Sequence, residues 1–201
     1  MEIGLNTTDK KASSAMKAPV FVDEQQLVSR LKDPSTRRKA FEELARQYSE
    51  PLYWHVRRMV LSHDDASDIM QNVLLKAWTH IDGFNNDSKL STWLYRIAVN
   101  ESLDFLRRQK NIAAVSADDA EAGVANRLMA DDYFDGDDTE AQLQEAISRL
   151  PDVQRTVFNL RYFEELKYSE ISQIMKTSEG ALKASYHIAV KKITDFFKRH
   201  D

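Results

Sequence analysis

The residues best suited to binding chemistry lie in Asp87–Arg108, DSKLSTWLYRIAVNESLDFLRR. Leu90, Leu94, Ile97, Ala98 and Phe105 recur at apolar helical spacing. Trp93, Tyr95, Arg96, Asn100, Arg107 and Arg108 fall on or beside the other faces. Aromatic rings stack bases, amides read base edges and arginines hold phosphates, the set that single-stranded nucleic acid demands. The same residues fit an ordinary amphipathic helix with snorkelling arginines, so this segment alone leaves both readings open.

A second cluster is Asp64, Asp65 and Asp68 at the start of the next helix upstream. No histidine joins them at the i+3 or i+4 spacing of di-metal helices, so no metal is expected. Carboxylates at a helix start suit its dipole. A docking face for a basic partner, extended by Gln71 and Asn72, is the other reading. His55, His63, His80, His187 and His200 are scattered, with no H-E-x-x-H pattern and no nucleophile beside a base. There is no glycine-rich phosphate loop. The expectation is therefore no catalytic centre, no cofactor and no enzyme activity.

A third constellation lies near the C-terminus. A short helix over Ser169–Met175, a polar break at Lys176, Thr177 and Ser178, and a helix over Glu179–Lys198 have the helix-turn-helix layout. Ser178 suits the N-cap. Lys183 can reach guanine or phosphate, His187 can donate or accept, and Ala184 permits close approach to a groove. A plain αα-hairpin is the alternative.

The elements that must position these groups are helical. Only 5 glycines and 4 prolines argue against a turn-rich β chain, and helix formers dominate the 201 residues. Residues 1–22 read as a mobile tail. A short helix over 24–32 stops at Asp33–Pro34, and a longer pattern runs from Phe41 to Val60 across Pro51. Ile69, Met70, Val73, Leu74, Ala77, Trp78 and Ile81 fill one stripe of the following helix. Residues 111–140 hold few large apolar groups and the acidic run DDYFDGDD, and read as a flexible linker. Leu143, Ala146, Ile147 and Leu150 open a second helical unit over 141–201, whose last helix buries Leu182, Tyr186, Ala189, Ile193 and Phe196. The expected architecture is all-α: two small helical domains, 23–110 and 141–201, joined by an acidic linker.

The net charge of −4 looks wrong for a nucleic-acid binder, but its distribution restores the idea. The four segments 1–22, 23–110, 111–140 and 141–201 carry +1, +1, −8 and +2, so the acidity sits almost wholly in the linker. The absence of cysteine excludes a disulfide framework and a thiol nucleophile, and fits a cytoplasmic location. No signal peptide and no run long enough to span a bilayer is read.

In order and spacing these pieces resemble the extracytoplasmic-function (ECF) class of sigma-70 family RNA polymerase sigma factors. The resemblance covers roughly 24–110 and 141–198. Asp65–Trp78 is similar to the polymerase-binding helix of sigma domain two. Phe84, Asp87–Ser88 and Thr92–Asn100 are similar to that domain's promoter-melting and −10-reading segment. Leu150–Pro151, Tyr168–Met175 and Glu179–Ile193 resemble the helix-turn-helix of sigma domain four.

The resemblance implies a transcription initiation factor that directs core polymerase to −35 and −10 elements and promotes strand opening. Asp65, Asp68, Gln71 and Asn72 would meet the coiled-coil of the polymerase β′ subunit, and domain four the β flap. Phe84 and Asn100 would help form the pocket for a flipped −10 base. The loop Asn85, Asn86, Asp87, Ser88 and Lys89 would close over that pocket. Arg96, Arg107 and Arg108 would hold the DNA backbone. Lys183, Ala184, Ser185, His187 and Lys191 would face the −35 element. An anti-sigma factor would be a further partner, and no membrane insertion is implied.

Some residues depart from the family pattern. Ser67 and Asn72 stand where glutamate is common, Ser185, Ile188 and Val190 where arginines are, and Lys167 where Ser or Thr usually caps the helix. Two rivals remain. A conventional helix-turn-helix regulator explains 150–198 but leaves the aromatic helix idle. A sigma-like decoy would bind polymerase or an anti-sigma partner without initiating.

Overall fold

The computed structural model describes residues 24–113 and 136–200. Every regular element among them is helical. The first unit comprises α1 (Glu24–Lys32), α2 (Arg37–Val60), α3 (His63–His80), a 3₁₀ turn (Ile81–Gly83) and α4 (Leu90–Ala113). The second comprises α5 (Asp138–Ser148), α6 (Asp152–Tyr162), α7 (Tyr168–Met175) and α8 (Glu179–His200). The expected tail and residues 114–135 of the expected linker lie outside the described residues. Within the expected 111–140 segment, α4 runs on to Ala113 and α5 starts at Asp138.

Local signals set the helix ends. α2 passes through Pro51 unbroken and stops where Leu61 turns left-handed at φ 66°, its N–H donating to the Arg57 carbonyl at 2.8 Å. Ser62 is then extended, and its Oγ accepts from the Asp65 N–H at 3.3 Å, which starts α3. Two residues thus reverse the chain and lay α3 back along α2. Asp137 caps α5 by accepting from the Glu140 N–H at 2.9 Å. Lys167 offers α7 no side-chain acceptor, but the Glu170 carboxylate accepts from the Lys167 backbone N–H at 3.0 Å.

The core of the first unit interleaves Leu44, Leu52, Val56 and Met59 of α2 with Ala66, Ile69, Val73 and Ala77 of α3 and Leu90, Leu94 and Ala98 of α4. α1 closes one end with Leu27, Val28 and Leu31. Ala146, Ile147, Leu150, Phe158, Ala189 and Ile193 form a smaller core in the second unit.

The two units do not stand apart. Val157, Leu160, Ile171, Ile174 and Leu182 belong to the same continuous buried cluster as α2–α4. α7 lies on α4 and α6 lies on α2. At the centre of the contact, Glu164 enters a pocket made by His55 and Arg58 of α2 and Tyr95 of α4. The Tyr95 hydroxyl donates to Oε2 at 2.8 Å, Arg58 donates to Oε1 at 3.1 Å, and His55 Nδ1 lies 3.7 Å from Oε1. The Glu164 side chain is 10% exposed and His55 is fully buried. Around this centre, Arg155 donates to the Met59 carbonyl at 3.1 Å, Lys89 to Glu170 at 2.7 Å and Lys110 to Asp152 at 2.8 Å.

Burial pushes the Glu164 carboxyl upward, but His55, the Arg58 guanidinium and the Tyr95 hydroxyl outweigh it and hold the group below its ordinary range. Burial and the neighbouring Glu164 charge push the Tyr95 phenol well up, so it stays a donor. Because the Glu164 value is depressed in the folded state, its contribution to docking is full above the ordinary glutamate range, about pH 4.3. That contribution is lost as pH falls through the depressed value. Glu164→Gln is expected to weaken docking by about 1.5–3 kcal/mol, the range for a hydrogen bond to a charged group. Energy transfer between labels on α3 and α8, followed through a urea titration, should show the units separating at lower urea with helix content retained. The wild type should also separate on acidification, and the Gln variant should show a smaller acid limb, the remainder coming from Glu170, which Lys89 holds below the ordinary glutamate range.

Candidate polymerase and nucleic-acid interfaces

The polar face expected on α3 is open. Asp68, Gln71 and Asn72 are exposed and Asp65 is half-buried near the helix start. Ala66, Ile69, Met70, Val73 and Ala77 point into the core. The same outward face also carries Leu75, 61% exposed, and Trp78, 37% exposed. Trp78 therefore corrects the sequence reading, which placed it in the buried stripe. Its ring rests edge-on against Phe41 at 5.1 Å, with the Arg37 guanidinium 5.9 Å from its centre, and its other side is open. The spacing Gln71, Leu75, Trp78 continues one face, a signal the apolar count alone hides. The surface is thus a mixed one, with an apolar centre between polar groups.

A groove of about 640 Å³ runs between α3 and α4. Asn100 and Arg107 line it with Trp93, Ile97 and Asp104, and Lys76 and His80 reach over from α3. Asn100 is exposed and can offer both an amide donor and an acceptor to a base edge. Arg107 is held by Asp104 at 3.0 Å. Lys76 pairs with Glu101 across the groove, tying α3 to α4. Arg108 is exposed. Arg96 is half-buried, with an Nε that has no hydrogen-bond partner.

The loop before α4 connects the α3 end of the groove, at His80, to the start of α4 and supplies none of the lining residues. Asn85, Asn86, Asp87 and Lys89 are exposed and Ser88 is half-buried. Asn86 adopts the left-handed conformation at φ 58°, which asparagine tolerates better than most residues. Phe84 is different: it is only 4% exposed and packs on Trp93 at 5.3 Å. It can shape the floor under the loop from behind but offers no open ring to a base. Lys89 is anchored on Glu170, and that hydrogen bond and charge hold its ammonium above the ordinary lysine range. Tyr95 corrects the reading of α4 as an exposed aromatic helix: it is buried under the second unit and bonded to Glu164.

The helix-turn-helix forms as the spacing implies. Lys176 turns left-handed at φ 52° to end α7, and the Ser178 Oγ accepts from the Ala181 N–H at 3.4 Å to start α8. Lys183, Ala184, His187 and Lys191 are exposed along α8, and Ser185 is half-buried. Lys183 lies 3.8 Å from Glu179 and 5.6 Å from the centre of the Tyr168 ring. Among the described residues, no group of three or more His, Cys, Asp or Glu side chains could hold a metal ion, and no helix is long and apolar enough to cross a membrane.

Phe84 offers a direct check of floor against contact. Phe84→Ala is expected to destabilise the first unit by about 3–5 kcal/mol, as for a buried aromatic. Urea denaturation of the DNA-free protein reads this; a ring that served only to touch DNA would leave the midpoint unchanged.

Comparison with known proteins agrees with this geometry. Residues 44–112 match sigma-70 region 2 and residues 140–193 match sigma-70 region 4. The chain is 32% identical over 156 residues to the ECF RNA polymerase sigma factor SigW of Bacillus subtilis, covering 74% of this chain and 83% of that protein. It is 31% identical over 169 residues to the RNA polymerase sigma-H factor of Pseudomonas aeruginosa, covering 80% and 86%. Two solved structures share the fold. CnrH in complex with the cytosolic domain of CnrY has a TM-score of 0.67 at 19% identity, covering 89% of this chain and 99% of that one. The sigma factor RpoE of Bartonella quintana, in complex with the anti-sigma factor NepR, has a TM-score of 0.64 at 22% identity, covering 80% and 98%.

Proposed function

Since this chain belongs to the ECF sigma factors of the sigma-70 family, a transcription initiation factor directing RNA polymerase to promoters, we propose that its three open surfaces divide that task. The α3 face of Asp68, Gln71 and Asn72, centred on Leu75 and Trp78, takes the coiled-coil of the polymerase β′ subunit. Asp65 stands at the rim of that contact. An apolar centre within a polar rim is the anatomy of a specific protein contact. The departure from acidic residues at Ser67 and Asn72 fits a surface that relies on Leu75 and Trp78 as well as on charge. The second unit would meet the β flap.

The groove between α3 and α4 takes the melted −10 strand. Asn100 reads a flipped base, the loop Asn85, Asn86, Asp87, Ser88 and Lys89 closes over it, and Phe84 supports the loop from below. Extracting a base costs a few kcal/mol, which a snug pocket must offset. Arg96, Arg107 and Arg108 hold phosphates beside it. Lys183, Ala184, Ser185, His187 and Lys191 of α8 enter the major groove of the −35 duplex. The action is binding and positioning, with no catalytic group of its own, and its place is the cytoplasm, beside polymerase. The two structures of like fold were each solved with a partner protein, the cytosolic domain of CnrY or the anti-sigma factor NepR, and a partner of the anti-sigma kind is proposed here too.

The observation that carries this reading is the pairing, in one chain, of an open amide-bearing groove on α4 with a separate helix-turn-helix. A regulator that used only the helix-turn-helix would have no use for the groove. A decoy would bind polymerase and yield no transcript.

Run-off transcription with purified core polymerase on genomic fragments should give promoter-dependent transcripts; none with a compatible core would sink the proposal. Asn100→Ala is expected to cut open-complex formation at the −10 element by about 5- to 150-fold, as loss of a base contact of about 1–3 kcal/mol implies. Its affinity for core polymerase in solution should not change; equal loss of both would make Asn100 structural.

A further inference from the structure

The base-facing side of α8 is built around apolar atoms. Leu182, Ala189 and Ile193 are buried, and Tyr186 packs beside them. At about 100° per residue, Ala184 and Ile188 lie roughly 40° apart on the opposite side, within the first three turns of the helix. Ile188 is 44% exposed. Lys183, His187, Lys191 and Lys192 surround this pole, all exposed. Val190 is also exposed, but two residues along a helix it points to another flank. From Glu179 to Lys191 there is no arginine, asparagine or glutamine, so nothing there grips adenine with two hydrogen bonds and lysine is the side chain left to reach guanine.

A ring of cations calls for a polyanion, and an apolar centre calls for an apolar atom on that polyanion. The major groove of DNA presents one such group, the C5-methyl of thymine. Covering any other base edge with isoleucine would strip water from a polar atom and give nothing back. We propose that Ile188, with Ala184 beside it, reads thymine methyl groups in the −35 duplex. Recognition there runs through apolar contact, while the surrounding lysines hold phosphates and set the register without carrying sequence information. Ala184 and Ile188 are offset by about 6 Å along the helix axis, close to two base-pair steps of about 3.4 Å. The pair therefore addresses two different base pairs, about two steps apart, not one. The inference rests on the proposed placement of α8 at the −35 element.

The test uses holoenzyme, this chain with core polymerase, on a promoter fragment recovered by run-off transcription. The fragment is made in two forms that differ only in 2′-deoxyuridine replacing thymidine in the −35 region, which removes the methyl and nothing else. Open-complex formation on the uracil form should need about four-fold more holoenzyme per contacted methyl. Ile188→Ala should remove Ile188's share of that difference, about four-fold for one contacted methyl, and leave the uracil form unchanged. Val190→Ala should keep the full difference. Equal binding of the two forms by the wild type overturns the proposal, as does a difference that Ile188→Ala leaves intact, which would place methyl reading elsewhere. A required −35 element without an A·T pair overturns it outright. In those cases, dependence of transcription on the −35 sequence would show that α8 still reads it. Transcription indifferent to the −35 sequence overturns the placement as well.

Discussion

The arrangement of the two units turns on one buried carboxylate. A glutamate inside protein is tolerated only when its charge and lone pairs are met. Here Glu164 of the second unit is met wholly by the first, through Tyr95, Arg58 and His55. Both donors, Tyr95 and Arg58, and the neighbouring His55 ring come from the other helical unit, so the carboxylate fits in one relative placement of the two. The bulk of the contact energy comes from elsewhere, from Val157, Leu160, Ile171, Ile174 and Leu182 joining the core of α2–α4. Apolar contact is non-directional and would accept several registers; the ionic centre selects one. That division suits what is known of buried ion pairs, which add little net stability and can add specificity.

This docking reaches the proposed DNA surfaces unevenly. The α3 face, the groove at Asn100 and the outer side of α8 all remain open. Lys89 on the loop before α4 is exposed as well, but it is paired with Glu170 of the helix-turn-helix. Each DNA surface is small, and the described units are close to charge neutrality, so neither alone has the field of a strong DNA binder. Polymerase supplies what they lack. Once one surface is bound, the other meets its element at an effective concentration set by the tether.

Much of the architecture was legible because helix periodicity and capping are local. The stops at Asp33 and Lys176 and the start after Ser178 are written in residues adjacent to each boundary, and so is the core stripe Leu90, Leu94, Ala98. Tyr95 was not legible. Its position on α4 puts it off that unit's own apolar stripe, which in an isolated helix means solvent. It is covered by a glutamate 69 residues away, and no local pattern encodes that pairing. Trp78 fails in the opposite direction: as a large aromatic one turn beyond Leu74 it reads as core, yet Phe41 supports only its edge. The Ser62 cap of α3 was hidden behind the conspicuous aspartates that follow it. At the candidate site, exposure follows from the helical period, and Asn100, Arg108 and Lys183 are exposed as their positions predict, whereas the burial of Phe84 against Trp93 depends on the loop's packing.

The exposed apolar residues carry the last step. A folded chain that joins two cores into one has already buried the apolar surface it can bury cheaply, so what stays out is informative. Leu75 and Trp78 sit on α3 and Ile188 on α8, both away from the seam between the units. Had the compact form been an accident of two sticky domains, these residues would be expected inside it. Instead the seam uses α2, α4, α6 and α7, while the surfaces proposed for polymerase and for the −35 duplex keep their apolar centres in water. Polymerase capture on α3, as proposed, leaves Glu164 and the seam undisturbed, and Lys89, 65% exposed in its side chain, can leave Glu170 by rotating its own side chain while α7 stays on α4.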